Sequence, residues 1–411
     1  MRRLAATFAC VLSGCAVLLL GAPPAAPATK GIWISIDELA KLPTRGAAWR
    51  QLQATADGGL GKAKIRDQND DHDVRTLAVA LVYARTGREE YRAKAADAIA
   101  EAIGTEEGGR TLALARNLPS YVVAADLIDL ESYDSALADR FRSWLAAVRS
   151  ETLDDGKTLV QTSEERPNNW GTNAGAARAA ADVYLEDTAD LERAAQVFKG
   201  WLGDRTAYAG FIYGSDLSWQ VDSMSPVGVN PASATIQGQS VDGALPDDMR
   251  RGGGFQIPPG RTGYVWEALQ GAVVEAEILR RAGYDPWSWQ DAALRRAVQY
   301  LYDLDQAYGG WWAAGDDGWV PWLVNAAYGS SFPAARPTLP GKNMGWTDWT
   351  HAAPPPPVPR PDSVPKHIPR WAWDLLKWQS TPASERGPRP KNAPRPLPKW
   401  YREWATWKLG S

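Results

Sequence analysis

From Ile36 to about Ala282 apolar residues recur at three-and-four spacing, and that recurrence restricts the fold more than any other feature of the chain. Val74, Leu77, Ala78, Leu81 and Val82 form one such run; Ala96, Ile99, Ala100 and Ile103 form another. Leu137, Phe141, Trp144, Leu145 and Val148 repeat the pattern, as do Leu269, Val273, Val274, Ala276, Ile278 and Leu279. A helix returns to the same face at this interval, whereas a strand alternates, so the spacing predicts helices. Gly87, the stretch Gly104–Gly109, Gly156 and Gly283 punctuate the runs. Gly210 to Gly263 reads as a long loop. Strand patterning is sparse, and no short repeat supports a solenoid. Many medium helices joined by long loops predict an all-α fold, an α/α toroid of helical hairpins around one axis, over 29–351.

Both ends of the chain differ from this body. Residues 1–28 carry two Arg and no acid, then an apolar run, then Ala26-Pro27-Ala28. That is the layout of a secretory signal peptide cut near Ala28, which predicts an extracytoplasmic protein, secreted or periplasmic and cell-wall associated. Leu12-Ser13-Gly14-Cys15 has the look of a lipoprotein box, but the apolar run continues past Cys15. Cys10 and Cys15 are the only cysteines, so a body cut there has no disulfide, thiolate metal site or cysteine nucleophile. Residues 352–411 hold 14 of the 30 prolines, opening on Pro354–Pro357. A Pro-rich linker over 352–368 is expected to be extended. Two basic, Trp-rich repeats of period 29 follow over 369–411. Trp371, Leu375 and Trp378 in the first copy, and Trp400, Trp404 and Trp407 in the second, each mark one apolar stripe on a short helix. So short a helix is marginal alone; the stripes must pack on the body, on each other, or on a cell-wall glycan. The repeats resemble short tail repeats of secreted wall-active glycosidases.

Charge and residue inventory remove whole classes of function. The formal net charge of −3 conceals an acidic body and a tail with 11 Lys and Arg against 4 Asp and Glu. An acidic body is not a nucleic-acid-binding surface. His72, His351 and His367 are the only histidines, too few for a three-His site in the body, and no metal or other cofactor is expected. Metalloprotease, P-loop, serine-hydrolase and dinucleotide motifs are absent from the sequence. No segment is long and apolar enough to span a membrane.

Polar clusters that interrupt the apolar helices are the candidates for chemistry. Arg66 to His72, with Gln68 and His72 as its side chains of interest, stands before a helix, where Asp and Asn also serve as caps. Arg116-Asn117 places a charge in an apolar run. Arg166-Pro167-Asn168-Asn169-Trp170 precedes an Ala-rich helix, and its amides can cap that helix or face a carboxylate. Asp242 to Arg251 leads into Gly252–Gly254 and then Arg261-Thr262-Gly263-Tyr264, at the mouth of a helix near Val265. Trp311, Trp312, Trp319 and Trp322 surround Asp316-Asp317, and flat aromatics serve sugar stacking as well as cores.

Taken together these residues resemble the alginate lyase family of polysaccharide lyases over about 35–351. The stretches that carry the resemblance are Asp37 to Pro43, Asp67-Gln68, Leu77 to Gly87, Asn168-Asn169, Asp242 to Pro246, Glu267 to Gln270 and Gly341 to His351. The resemblance implies an α/α toroid with a cleft across its inner helix ends, an acidic polysaccharide as substrate, and β-elimination. It makes Asn169 and Arg261 the donors to the uronate carboxylate and Tyr264 the base and acid. Arg166, Asn168, Trp170, Gln68, His72, Arg116, Asn117, Arg251 and Trp312 are expected to line the substrate path. The family's Asn-Asn pair is typically followed by His, where this chain has Trp170; His351 or His72 is then the histidine available for that role.

The chemistry needs those residue types. A uronate C5 proton is weakly acidic, so its carboxylate must be neutralised, the proton removed and the departing O4 protonated. Amide and guanidinium donors suit the first task and a tyrosine the other two, with no metal. Two alternatives stand beside this reading. One is a glycoside hydrolase pairing Asp316 or Asp317 with Asp242 or Asp248 across about 5–10 Å; the other is an inactive glycan- or wall-binding protein.

Overall fold

A computed structural model describes residues 29–336, 341–352, 365, 368–380, 386–395, 397–401 and 404–405. The expected leader at 1–28, His367 and Trp407 lie outside the described residues. The chain runs through α1 (Ile36–Lys41), α2 (Ala47–Asp57), α3 (His72–Thr86), α4 (Glu89–Ala102), α5 (Thr111–Leu127), α6 (Leu130–Tyr133), α7 (Ser135–Val148) and α8 (Leu159–Glu165). It continues through α9 (Asn169–Leu185), α10 (Thr188–Trp201), α11 (Pro246–Met249), α12 (Tyr264–Arg281), α13 (Trp289–Tyr308), α14 (Val320–Tyr328), α15 (Thr347–Thr350) and α16 (Arg370–Ser380). Among the described residues the only strands are β1 (Thr235–Ile236) and β2 (Gln239–Ser240), an antiparallel pair in the long loop.

Composition sorts the helices into two layers. Every residue of α5 is buried, and α3, α9 and α12 are buried almost all round. Helices apolar on all sides belong inside. α4, α7, α10 and α13 bury one stripe each and form the outer layer. Inner helices pack in the order α3, α5, α9, α12, with α2 and α14 beyond the two ends of the row. The result is an all-α fold, an arc of helical hairpins that forms an incomplete toroid. Caps mark the starts: Thr158 and Gln161 form a capping box on α8, and Asn168 caps α9 through Trp170 N at 3.1 Å.

Residues 341–351 fill the open side of the arc. Ser120 Oγ donates to Asn343 O at 2.7 Å, and Asn343 Nδ2 donates to Asn173 Oδ1 at 2.5 Å and Gln270 Oε1 at 3.1 Å. Trp346 Nε1 donates to Val74 O, and Trp349 Nε1 to Pro43 O. This one segment therefore reaches α3, α5, α9, α12 and the turn before α2. Asn343 takes φ +74°, a conformation that asparagine tolerates better than most residues.

α9 and α12 approach closely because glycine stands at their contact. A Cβ on Gly271 would lie 2.4 Å from Asn173 N, and one on Gly175 would lie 2.2 Å from Glu275 Oε2. Small residues at these two positions let the backbones meet.

The tail has an apolar cluster of its own, made of Ala372, Leu375, Leu376, Ala393, Tyr401 and Trp404. Trp371 and Trp400 meet at 5.5 Å between ring centroids, and Trp373 meets Trp404 at 4.8 Å. Of the three packings open to the stripes, they adopt mutual packing. Trp404 is buried and has no face for a glycan; Trp371, Trp378 and Trp400 are half-buried, while Trp373 is exposed.

Gly271→Ala is expected to push α12 off α9 and to lower stability by about 1–3 kcal/mol, the usual cost of overpacking, read as a lower midpoint in urea unfolding.

Candidate active site

Near their starts, α5, α9 and α12 meet through the polar side chains of Arg116, Asn169 and Glu267. Asn169 opens α9, Tyr264 opens α12, and Arg116 lies one turn into α5. Glu267, one turn after Tyr264, accepts from Asn169 Nδ2 at 2.8 Å and lies 2.7 Å from Arg116 Nη2. Arg116 is buried while Glu267 keeps 30 % of its side chain exposed, so the pair reaches from the core to the cleft. Asn169 N donates to Asp248 Oδ1 at 3.2 Å. Burial pushes the Asp248 carboxyl well above the usual carboxylate range, with the Asp247 charge adding to the effect. Asn169 Oδ1 and Arg116 Nε are buried and have no hydrogen-bond partner among the described residues.

One turn deeper lies a second polar layer. Asn173 Nδ2 donates to Asn169 O at 2.7 Å and Glu267 O at 3.1 Å. Its Oδ1 accepts from Asn343, Asn343 donates to Gln270 Oε1, and Gln270 Nε2 donates to Asp317 Oδ1 at 2.6 Å. Asp317 ends a 3₁₀ turn, Gly315–Asp317. Burial first, and the neighbouring Asp316 charge second, push its carboxyl up to about 7. With Arg261, Trp266, Trp311 and Trp312, Asp317 lines a cavity of about 280 Å³ at the mouth of α12. Arg261 Nη2 donates to Gly309 O at 3.0 Å, which holds the guanidinium on that rim. Arg251 lies 3.7 Å above the Tyr264 ring, and Tyr264 is more than a third exposed.

A basic aromatic group adjoins this rim. Trp170 is half-buried, with the Arg166 guanidinium 4.6 Å and that of Arg110 5.5 Å from its ring. Arg110 Nη2 also donates to Gln68 Oε1 at 3.3 Å. A flat ring between guanidinium groups suits an acidic sugar.

Other expected residues have structural work in the fold. Asn168 caps α9 and donates to Asp247 Oδ2. Asn117 is buried and donates to Ile65 O and Asp67 O, which ties the strap before α3 to α5. Trp312 donates to Pro333 O while keeping an edge on the cavity. His72 is buried with Nδ1 2.7 Å from Tyr121 OH, and burial lowers its pKa. His351 lies beside Glu277 and Trp33. Glu277 is thirteen residues along α12 from Tyr264, about 20 Å at 1.5 Å per residue. The expectation that His351 acts beside Asn169 and Tyr264 is corrected accordingly: it belongs to the far end of α12. Of the alternative carboxylates, Asp242 is held by Arg296 Nη1 at 2.7 Å, and Asp248 is buried beneath α9.

Glu267, Gln270 and Arg110 escaped the reading of the sequence as site residues. Glu267 and Gln270 stand three apart on a helix otherwise apolar at that end, so a polar edge was the available signal. Among the described residues, Asp182, Asp187 and Asp190 are the one group close enough to share a cation. Arg149 reaches all three and Arg178 also binds Asp190, so these carboxylates already have counter-charges.

Part of the chain is similar to a known family. Residues 48–213 match the family model for alginate lyase. The match is a similarity of that segment, which spans less than half of the chain. No curated protein matches the chain. Among solved structures, the crystal structure of alginate lyase A1-III from Sphingomonas species A1 aligns at 14% identity and a TM-score of 0.44, covering 81% of this chain and 100% of that one. No helix among the described residues is long and apolar enough to cross a membrane.

The two partners of the central ion pair are unequally buried, and their removal is expected to differ. Glu267→Ala leaves a buried guanidinium unpaired and should cost about 3–5 kcal/mol. Arg116→Met leaves a carboxylate that water reaches and should cost less. The double variant is expected to recover part of the Glu267→Ala loss in urea unfolding.

Proposed function

We propose that this chain cleaves a uronate-containing glycan of the alginate type by β-elimination outside the cytoplasm. The reading is supported by the cluster of Asn169, Glu267 and Arg116 at the inner helices, with Tyr264 one turn before Glu267 on α12 and Arg261 lining a cavity edged with Trp312. Arg261, held at the cavity by Gly309 O, neutralises the uronate carboxylate and so makes the C5 proton removable. Asn169 fixes the rim through Glu267, and its amide serves the carboxylate once substrate displaces that partner. Tyr264, exposed and one turn from Glu267, takes the C5 proton. Trp170 holds the Arg166 and Arg110 guanidinium groups, which with Gln68 bind a neighbouring sugar by charge and hydrogen bonding, and Arg251 orients the Tyr264 ring. These local arginines offset the repulsion between an acidic body and a polyanion.

The leader at 1–28 supports export, and the domain plan follows: a lyase body over 29–351, a linker over 352–368 and a paired-repeat module over 369–411. The basic module, with Trp373 on its surface, holds the enzyme on wall glycan.

An unsaturated uronate absorbs in the ultraviolet, below the protein's aromatic band, so the exported chain is tested on alginate, polyglucuronate and other uronate polymers. Absorbance should rise on at least one of them, and Tyr264→Phe should reduce the rate by about 10²-fold or more, the scale of a lost acid–base group. A flat panel overturns the reading. Trp373→Ala in the full chain is expected to weaken sedimentation with insoluble wall glycan while leaving turnover of soluble substrate within about twofold; unchanged sedimentation overturns the role of the module.

A further inference from the structure

Elimination needs two proton transfers, and the family's histidine is replaced by Trp170, whose ring is stacked by two guanidinium groups. His72 is committed to Tyr121 and His351 lies at the far end of α12. One tyrosine can carry both transfers in turn; Asp317, which lines the cavity that Arg261 and Trp312 share, is a second group placed to take one of them.

The hydrogen-bond chain behind Asp317 fixes which of its oxygens can carry a proton. Backbone carbonyls only accept, so the Asn173 amide must turn its nitrogen to Asn169 O and Glu267 O. Its oxygen then faces Asn343, which must present nitrogen. That same nitrogen faces Gln270, which must present oxygen to it and nitrogen to Asp317. Asp317 Oδ1 is therefore an acceptor. A proton on this carboxyl sits on Oδ2, which has no hydrogen-bond partner among the described residues.

We propose that Asp317 is the general acid of this site, delivering the Oδ2 proton to the departing O4. The proposal rests on the elimination reading. Tyr264, as phenolate, takes the C5 proton; the C5–H electrons form the C4–C5 double bond; the C4–O4 bond breaks; and O4 leaves with the Asp317 proton. The site ends as tyrosine and carboxylate, and exchange of one proton with solvent restores it. Glu267 and Gln270 on α12, Asp316 in the same turn, Lys342 paired with Asp316 at 3.2 Å, and Arg261 across the cavity face this carboxyl. Burial and the Asp316 and Glu267 charges hold the proton on; Gln270 and Lys342 oppose them.

The test compares two substrates in the full chain: a uronate polymer that the wild-type protein cleaves, and a uronide carrying 4-nitrophenol on O4, whose departure needs no acid. Asp317→Asn keeps the acceptor for Gln270. It is expected to lose about 10²–10⁴-fold in kcat on the polymer and less than about tenfold on the aryl substrate, and Asp317→Glu is expected to recover part of the loss. The ratio of the polymer rate to the aryl-substrate rate should fall as pH rises through about 7, because only the polymer needs the proton of the acid while ionisation of the base affects both substrates alike. Equal losses on both substrates, or none on either, overturn the assignment while leaving elimination intact. New reducing ends without the unsaturated chromophore overturn elimination itself, and the assignment with it.

Discussion

The amide of Asn173, held between the carbonyls of Asn169 and Glu267, joins the two helices on which the rest depends. It ties α9 to α12 at their close contact, where Gly175 and Gly271 stand. Both acceptors belong to the backbone of site residues, so the same bond sets the height of Asn169 and Glu267 relative to each other. Buried amides left unpaired are costly, and here the deep layer of polar groups is joined end to end. That layer gives the cleft a floor whose hydrogen-bond directions are settled before any substrate arrives, which is the condition for electrostatic help to a transition state.

Charge is distributed to suit this floor. Arg116 is buried and Glu267 reaches outward, so a positive group sits below and a negative one above it, at the rim. Asp248 beneath the start of α9 is pushed towards its neutral form and contributes hydrogen bonding more than charge. The net effect is a cleft in which arginine, at Arg261, Arg251, Arg166 and Arg110, provides most of the exposed positive charge. An acidic body thus carries local positive charge around the Trp170 and Tyr264 rings.

Much of the fold was legible because helical period survives in sequence. Leu77 to Val82 and Leu269 to Leu279 announced α3 and α12, and their apolar character on all faces announced burial. The site was legible where it coincided with a helix mouth: Asn169, Tyr264 and Arg261 stand at such mouths. It was illegible where roles depend on partners distant in the chain. Nothing near Asn117 reveals that it holds Ile65 and Asp67, and nothing near His351 reveals that it sits beside Glu277. Asp317 was visible as one of two adjacent acids, but only its bond to Gln270, 47 residues earlier, separates it from Asp316. The Trp stripes gave the right faces and left the partner open, since sequence cannot say that one stripe will close on the other.

The segment that fills the arc comes late in the chain. Asn343 reaches Asn173 and Gln270 across 170 and 73 residues. A nascent or nicked chain that ends before this point leaves the floor of the cleft without its central amide and the inner wall open to water. Such a fragment would expose buried polar groups to any protease that meets it. Completeness of the chain and the shape of the cleft are thus the same structural fact.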